Sequence, residues 1–312
     1  MNQTPDRTAE QTPGPDAPPR VSIGLPVYNG ERWIEQTIDS ILAQTFSDFE
    51  LIICDNCSTD STVEICQRYA AQDSRVVVHQ NTENIGAARN FNKAFELARG
   101  RYFKWASSND LIGERFLEAC VEVLDANPDV AVAFPRTQLI NERNEVIEEY
   151  DENLHLLDDH PYVRFRNFID RVRLNNVEQA LQRSSVLRQT TLQAVYPNSD
   201  TVLMSEMAAR GKFFQIEEFL LSRRLAESST TNLMTEEEVA SFYAPGKTHI
   251  PFRTMRMFLA FISLSTRIKV PLSQRLKFYD FALRFLYWSK GDFMKDLSAY
   301  FRQLFRRRPA SA

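Results

Sequence analysis

Short apolar runs alternate with amphipathic segments between residues 21 and 106, and this alternation limits the possible folds more than any other feature of the sequence. Apolar runs of about four to eight residues are typical of buried strands, and apolar residues three or four apart are typical of helices. The runs predict strands at 21–26, 49–54, 76–79 and 102–106, and helices at 31–43, 61–71 and 87–98. Because strands and helices alternate, we predict an α/β fold with a mostly parallel sheet wound with helices.

Two of these predicted strands end in polar residues. The segment from Asp55 to Asp60 follows the second strand, and the segment from Ser107 to Asp110 follows the fourth. Open α/β sheets bind ligands at the carboxyl ends of their strands, so we expect both segments to border one crevice. Asn109 and Asp110 offer oxygen ligands to a divalent cation that holds a diphosphate. The alternative is that these residues only cap the helices that follow, since Ser, Asn and Asp are favoured caps.

The composition argues against several classes of protein. The chain has 312 residues, enough for one large domain with an appendage. It contains only nine glycines and no G-x-G-x-x-G motif after the first strand, which disfavours a dinucleotide-binding oxidoreductase. Cys54 and Cys57 form a C-x-x-C pair without a second pair or a neighbouring His, so we predict no zinc site. We predict that the four cysteines are reduced thiols, which are typical of a cytosolic protein.

The start of the chain differs from its centre. Residues 1–20 are polar, contain five prolines and lack an apolar core, which predicts a disordered tail and no secretory signal. No apolar run reaches the ~18 residues expected of a membrane span. We therefore predict a cytoplasmic protein with one folded domain at 21–235 and a helical, basic and aromatic-rich region at 236–312.

The middle of the chain has a less regular pattern. It predicts a strand at 130–134, a turn at 141–145, a helix after Asp200 and a strand at 213–221. Residues 155–177 are polar and poorly patterned, and we interpret them as a mobile segment.

The last 60 residues are strongly basic. Residues 253–312 contain 13 Lys and Arg against 3 Asp and Glu, and the apolar spacing predicts three amphipathic helices at 255–264, 276–288 and 293–305. Basic residues flank their aromatic faces. The helices either pack on the domain or contact an anionic membrane surface, and the sequence leaves both interpretations open. We predict no nucleic-acid binding, because only this tail argues for it.

Five motifs, in this order, resemble one known family. They lie at 21–30 (Val-Ser-Ile-Gly-Leu-Pro-Val-Tyr-Asn-Gly), 40–46, 55–60 (Asp-Asn-Cys-Ser-Thr-Asp), 84–90 and 102–110. Residues 20–225 thereby resemble a family 2 glycosyltransferase of the GT-A fold. The resemblance implies an inverting enzyme that moves a sugar from a nucleotide-sugar donor to an acceptor hydroxyl in polysaccharide or glycoconjugate biosynthesis. It also implies Mg²⁺ or Mn²⁺ at the diphosphate, and a glycan or lipid-linked acceptor.

The resemblance also assigns roles to individual residues. It makes Asp110 the metal ligand and Asp200, which precedes a helix, the catalytic base, with Glu206 as a weaker candidate for the base. The residues it assigns to donor binding are Pro26, Val27, Tyr28, Asp55, Asn56, Arg89, Asn109 and Arg224. The alternatives are that Asp200 caps a helix and that Arg89 is a solvated helix charge; we favour the functional roles.

The chain departs from the family pattern at several of these motifs. Asn56, Ser107 and Asn109 stand where the family has acids, and an amide cannot supply the charge of a carboxylate. Ser199 replaces the acid that often precedes the base, and Ala226 replaces a His. The departures favour a non-catalytic nucleotide-sugar-binding or scaffold protein, whereas the presence of both Asp110 and Asp200 favours the enzyme, which is our prediction.

Overall fold

The structure is a computed structural model that describes residues 17–225 and 235–306. Most of the predicted disordered tail, residues 1–16, lies outside the described residues, as does Ala226. The first part of the chain follows the predicted alternation, with strand and helix ends within about four residues of those expected. Its elements are β1 (Val21–Val27), α1 (Ile34–Leu42), β2 (Phe49–Asp55), α2 (Thr62–Gln72), β3 (Val76–Gln80), α3 (Ala87–Glu96) and β4 (Tyr102–Trp105).

The second part adds shorter strands and helices. Its elements are β5 (Leu111–Ile112), α4 (Phe116–Ala126), β6 (Val130–Ile140), β7 (Val146–Tyr150), α5 (Pro161–Arg171), a 3₁₀ turn (Asn176–Gln179), β8 (Leu181–Arg183), α6 (Ser184–Leu187), α7 (Ser199–Arg210) and β9 (Lys212–Arg224). The predicted turn at 141–145 joins β6 to β7 as a hairpin. The C-terminal helices are α8 (Glu236–Tyr243), α9 (Arg253–Arg267), α10 (Leu272–Trp288) and α11 (Lys290–Arg306).

Within the described residues, one nine-stranded sheet has the strand order β3-β2-β1-β4-β8-β6-β9-β5, with β7 beside β6. The half from β3 to β4 is entirely parallel, as predicted. The other half is mixed: β8 is antiparallel to both β4 and β6, whereas β6 and β9 are parallel. The short β8 therefore joins the parallel strands β3 to β4 to the parallel pair β6 and β9. With three residues, it is too short for its pairing to be predicted from sequence periodicity.

Helices cover both faces of the sheet. One core lies between the sheet and helices α1, α2 and α4, and a second lies between the sheet and helices α3, α5 and α7. Each buried Phe, Leu or Ile in such a core contributes roughly 1.5–3 kcal/mol. The two cores fix the strands, and with them the edge where the polar loops after β1, β2 and β4 meet.

The prediction of a mobile segment at 155–177 is wrong, because α5 occupies the centre of this segment. Phe165 and Phe168 are buried, and so is Arg164. The Arg164 guanidinium donates hydrogen bonds to the carbonyl oxygens of Ala208 (2.9 Å) and Gly211 (3.1 Å), at the end of α7. A buried cation that satisfies helix-end carbonyls interrupts the apolar spacing from which a helix is predicted.

The predicted C-terminal helices are confirmed, and α9 and α10 pack on the domain. Phe165 of α5 contacts Phe261 of α9 and Phe281 of α10, with ring centroids 5.9 and 4.8 Å apart. Arg267 of α9 also donates to the buried carboxylate of Glu206 in α7 at 2.7 Å. The predicted domain division at residue 235 stays a prediction. Within residues 17–225 and 235–306, no helix combines the length and apolar character needed to cross a bilayer.

Candidate active site

A crevice with a volume of 570 Å³ opens at the carboxyl edge of the parallel half of the sheet. Strands β1 and β2 pair in register up to Val27 opposite Asp55, so their final residues meet at this edge. Helix α8 closes the other side with Glu238, Ser241 and Phe242. Five of the residues predicted for donor binding line this crevice: Pro26, Val27, Tyr28, Asn56 and Asn109.

Asn56 lines the crevice, whereas Asp55, the last residue of β2, does not. Asp55 is fully buried; its Oδ2 accepts a hydrogen bond from the Ser58 backbone N–H, and its Oδ1 has no partner among the described residues. The Asn56 side chain donates to Asn84 Oδ1 (2.7 Å) and accepts from the Ile85 N–H (2.9 Å). The carboxylate that the family has at this position could accept but not donate. The departure at Asn56 therefore ties the 81–86 loop to the wall of the crevice.

Helix α8 reaches the crevice through a contact with Gly86. A capping box of Thr235 and Glu238 starts the helix. The carbonyl oxygen of Tyr243, at the end of α8, lies where a side chain on residue 86 would be, 2.3 Å from the position of an added Cβ. Gly86 also has φ +84° and ψ 154°, a conformation essentially restricted to glycine. Glycine is thus needed here both for the backbone conformation and for the approach of α8.

A second, polar cavity of 170 Å³ adjoins the crevice, and Ser107 and Asn109 line both. Asp110 lies in its wall and is 6% exposed. Its Oδ1 accepts a hydrogen bond from the Arg224 backbone N–H (2.8 Å), and its Oδ2 accepts from the Gln179 amide (2.6 Å). Burial raises the pKa of Asp110, while these two hydrogen bonds oppose the rise. Because α4 begins only at Phe116, Asp110 does not cap that helix.

Lys104 helps to position Asp110 through Gln179, a role that sequence reasoning missed. Its ammonium group is fully buried and donates to the carbonyl oxygens of Gln179 (2.6 Å) and Trp105 (3.0 Å). Burial lowers the pKa of Lys104 to about 7. Lys104 therefore fixes the backbone of Gln179, whose side chain holds Asp110. The available signal was a charged residue inside an otherwise apolar four-residue strand.

Asp200 faces Asp110 across the polar cavity. It is the second residue of α7, whose N-cap is Asn198, so the capping interpretation of Asp200 is wrong. Asp200 Oδ2 accepts a hydrogen bond from the Asn175 amide at 2.8 Å. Asn175 has φ 55°, which suits asparagine and turns the chain so that its side chain reaches Asp200.

Glu178 and Arg223 also line this cavity, and sequence reasoning missed both. Burial raises the pKa of Glu178 well above its usual range, and the charge of Asp200 adds to the rise. The Gln193 amide donates a hydrogen bond to Glu178. Arg223 donates to Asn176 Oδ1 (2.6 Å), and its charge opposes the pKa rise of both Glu178 and Asp110. No periodic pattern marks Glu178, since a 3₁₀ turn carries it.

The remaining predicted residues lie elsewhere or are engaged in structural contacts. Arg224 lines the polar cavity, but its buried guanidinium is engaged: it lies 4.0 Å from the ring centroid of Trp33 and donates to the carbonyl oxygen of Asn109 (2.9 Å). It therefore holds the Ser107–Asp110 loop in place. Arg89 is exposed on α3 and is not brought to the crevice. Glu206 accepts from two arginines on the far side of α7, away from the polar cavity.

The oxygen ligands around Asp110 suit a cation that takes most of its ligands from the substrate and from water. Among residues 17–225 and 235–306, no three His, Cys, Asp or Glu side chains are grouped to hold a metal. One carboxylate beside the oxygens of Ser107 and Asn109 nevertheless matches the way Mg²⁺ binds through one or two carboxylates, substrate phosphates and water. Asp110 would hold such a cation, with the diphosphate of a bound nucleotide completing its shell.

A sequence model described as glycosyl transferase family 2 matches residues 22–191, more than half of the chain. The chain belongs to this family. It is 42% identical over 106 residues to the putative teichuronic acid biosynthesis glycosyltransferase TuaG of Bacillus subtilis strain 168. That match covers 34% of this chain and 42% of the relative, so the chain spans about two fifths of the relative's length.

Solved structures of glycosyltransferases share the fold, which confirms the predicted GT-A class. The crystal structure of Staphylococcus aureus TarS 1–349 with UDP-GlcNAc matches at a TM-score of 0.63 and 15% identity, over 86% of this chain and 72% of that one. The mannosyltransferase PcManGT of Pyrobaculum calidifontis, solved with GDP-Man and Mn²⁺, matches at a TM-score of 0.53 and 17% identity. That match covers 96% of this chain and 84% of PcManGT.

Proposed function

We propose that this protein is an inverting glycosyltransferase that moves a sugar from a nucleotide-sugar donor to an acceptor hydroxyl. The observation that carries the proposal is the position of Asp110 and Asp200 in one polar cavity, which shares Ser107 and Asn109 with the larger crevice. The nucleotide occupies the crevice, with Asn56 in its wall. The diphosphate and the sugar extend into the cavity between the two carboxylates.

Inversion follows from a single displacement. The acceptor oxygen forms a bond to the anomeric carbon while the bond from that carbon to the diphosphate oxygen breaks, and the electron pair leaves with the diphosphate. Asp200 accepts the acceptor proton as the attack proceeds. Burial and the charge of Asp200 raise the pKa of Glu178, which favours its protonated form, a hydrogen-bond donor beside Asp200. Mg²⁺ or Mn²⁺ at Asp110, when bound, offsets the negative charge on the departing diphosphate.

The neighbours support the donor class. TarS is solved with UDP-GlcNAc, and PcManGT with GDP-Man and Mn²⁺. A role in polysaccharide biosynthesis follows from the teichuronic acid relative. We propose a glycan or lipid-linked acceptor and no nucleic-acid partner.

The surface of α10 supports a peripheral position on the cytoplasmic face of a membrane. Leu276, Leu283 and Tyr287 of α10 are 57–67% exposed, and the helix also carries exposed basic residues. A basic helix with an exposed apolar face favours an anionic lipid surface. This contact is compatible with the packing described above, because α10 packs on α5 with its other face.

A donor screen tests the enzyme against the non-catalytic alternative, which the amides at Asn56 and Asn109 favour. Binding and turnover of UDP-, GDP-, dTDP- and CMP-sugars would be measured with Mg²⁺, Mn²⁺ or chelator. We expect one nucleotide class to bind in the presence of metal, and Asp110→Ala to weaken that binding. Asp200→Asn retains binding and loses turnover. The exposed Asp170→Asn, outside the site, is the matched control. Binding without turnover in wild type, with every acceptor class tried, would establish the scaffold reading instead.

A further inference from the structure

A further cavity, with a volume of 390 Å³, lies between α8, α9, α11 and the loop before α7. Its volume falls within the ~300–1,000 Å³ typical of small-molecule sites. The proposed donor does not use it. Its polar lining consists of Asn198, Glu236, Tyr243, His249, Arg253 and Asp296.

The cavity borders the catalytic side of the molecule. Asn198 lies in its wall, two residues before Asp200. Tyr243 lines the cavity; burial raises the pKa of its hydroxyl, and the charges of nearby Asp200 and Glu178 add to the rise. A molecule in the cavity therefore lies close to the proposed base, beside Tyr243 and the start of α7.

Helix α8 is the wall between this cavity and the donor crevice. Glu236, Val239, Ala240 and Tyr243 line the cavity, at the spacing of one helix face. The opposite face, with Glu238, Ser241 and Phe242, lines the crevice. The two spaces are thus separate binding sites on either side of one short helix.

The charges of the cavity indicate what it binds. Glu236 and Asp296 are carboxylates, and Arg253 is the one arginine or lysine in the described lining. Two carboxylates oppose a phosphate or diphosphate, whereas carboxylate, imidazole and amide groups all hydrogen-bond to sugar hydroxyls. His249 lines the cavity, and its buried Nε2 has no hydrogen-bond partner among the described residues. Val239 and Ile250 offer apolar surface to the face of a sugar ring.

We propose that this cavity is a subsite for an uncharged saccharide of the acceptor, held by His249 and Asp296 while an acceptor hydroxyl reaches Asp200. The proposal rests on the function proposed above and adds the chemical class of the acceptor. It also assigns the C-terminal helices a role in acceptor recognition, in addition to any role at a membrane.

The test compares acceptors and variants in a transfer assay with the donor found in the screen. The acceptor probes are neutral methyl glycosides and the glycosyl 1-phosphates of the same sugars. We expect transfer to favour the neutral probes. His249→Ala raises the acceptor KM about three- to tenfold, as expected for one lost hydrogen bond. Val239→Phe, which fills the cavity, raises it further. The exposed Lys247→Ala, on the same loop, is the matched control, and nucleotide Kd values within twofold of wild type verify folding.

The outcomes separate this inference from the proposed function. Unchanged acceptor KM values in both cavity variants, with normal nucleotide binding and loss of turnover in Asp200→Asn, would overturn the subsite alone. A preference for the glycosyl phosphates would overturn the uncharged class. A wild-type protein that binds no nucleotide sugar would overturn the proposed function, and the acceptor subsite with it.

Discussion

Replacing Gly86 with alanine tests whether α8 forms part of the donor site. At φ +84° and ψ 154°, a residue with a side chain is strained by roughly 1–3 kcal/mol. The new Cβ would also lie 2.3 Å from the Tyr243 carbonyl oxygen and 2.9 Å from its carbonyl carbon, both closer than real Cβ contacts. Relief of the clash requires the end of α8 to move by about 1 Å or more.

The strain can be converted into an expected loss of affinity. If the clash in Gly86→Ala is relieved by the departure of α8, the docked state becomes less favourable by the ~1–3 kcal/mol typical of overpacking, a factor of about 5–150. Because Glu238, Ser241 and Phe242 line the crevice, the apparent Kd for the nucleotide rises by up to that factor. Titration calorimetry with the nucleoside diphosphate that wild type binds best measures the change.

Gly246→Ala is the matched control. Gly246 also has positive φ, at +77°, but a Cβ there meets nothing within 4 Å. This variant carries the cost of the left-handed backbone, roughly 1–2 kcal/mol, without the clash against α8. We expect a lower Tm in both variants and weaker nucleotide binding only in Gly86→Ala. Equal nucleotide affinities in the two variants would refute the role assigned to α8.

Three further predictions concern other parts of the molecule. Glu178→Gln raises Tm at pH 8 and loses this advantage as the pH falls toward ~4.5, because a carboxyl whose folded pKa is raised destabilises the fold only at pH values that ionise it in the unfolded chain. Thermal melts from pH 4.5 to 8 measure this, and a pH-independent difference would contradict it. Glu206→Gln lowers the free energy of unfolding in urea by roughly 3 kcal/mol, because it removes the buried carboxylate that pairs with Arg210 and Arg267. An unchanged unfolding midpoint would show that these ion pairs add nothing to stability. The double variant of Leu283→Glu and Tyr287→Glu binds less to phosphatidylglycerol vesicles, measured as the fraction of protein that co-sediments with them. Phosphatidylcholine vesicles serve as the control. Equal co-sedimentation of variant and wild type would exclude α10 as the membrane contact.

The parallel half of the sheet could be predicted because local pattern and final position agree there. Strands β1 and β2 are buried along their whole length, so their apolar runs are uninterrupted. The polar residues that follow β2 and β4 then meet at one edge for a topological reason alone. This is why five of the eight residues predicted for donor binding line one crevice.

The rest of the site depends on packing that no local pattern records. Glu178 meets Asp200 only because a 3₁₀ turn and the start of α7 pack against each other. Arg224 was predicted near the donor and lines the polar cavity together with its neighbour Arg223, but the ring of Trp33 and nearby carbonyl groups hold its guanidinium. These contacts come from residues distant in sequence, so the sequence alone does not indicate which of two adjacent arginines has a structural role.

The two faces of α8 couple the donor crevice to the cavity behind it. A ligand that shifts this helix on one side changes the space available on the other. Thermodynamic linkage then requires that the donor alter acceptor affinity by the same factor by which the acceptor alters donor affinity, typically about 5–150-fold for coupled sites. An eight-residue helix, seated on a glycine that allows no substitute, would in this way make the affinity for each substrate depend on the presence of the other.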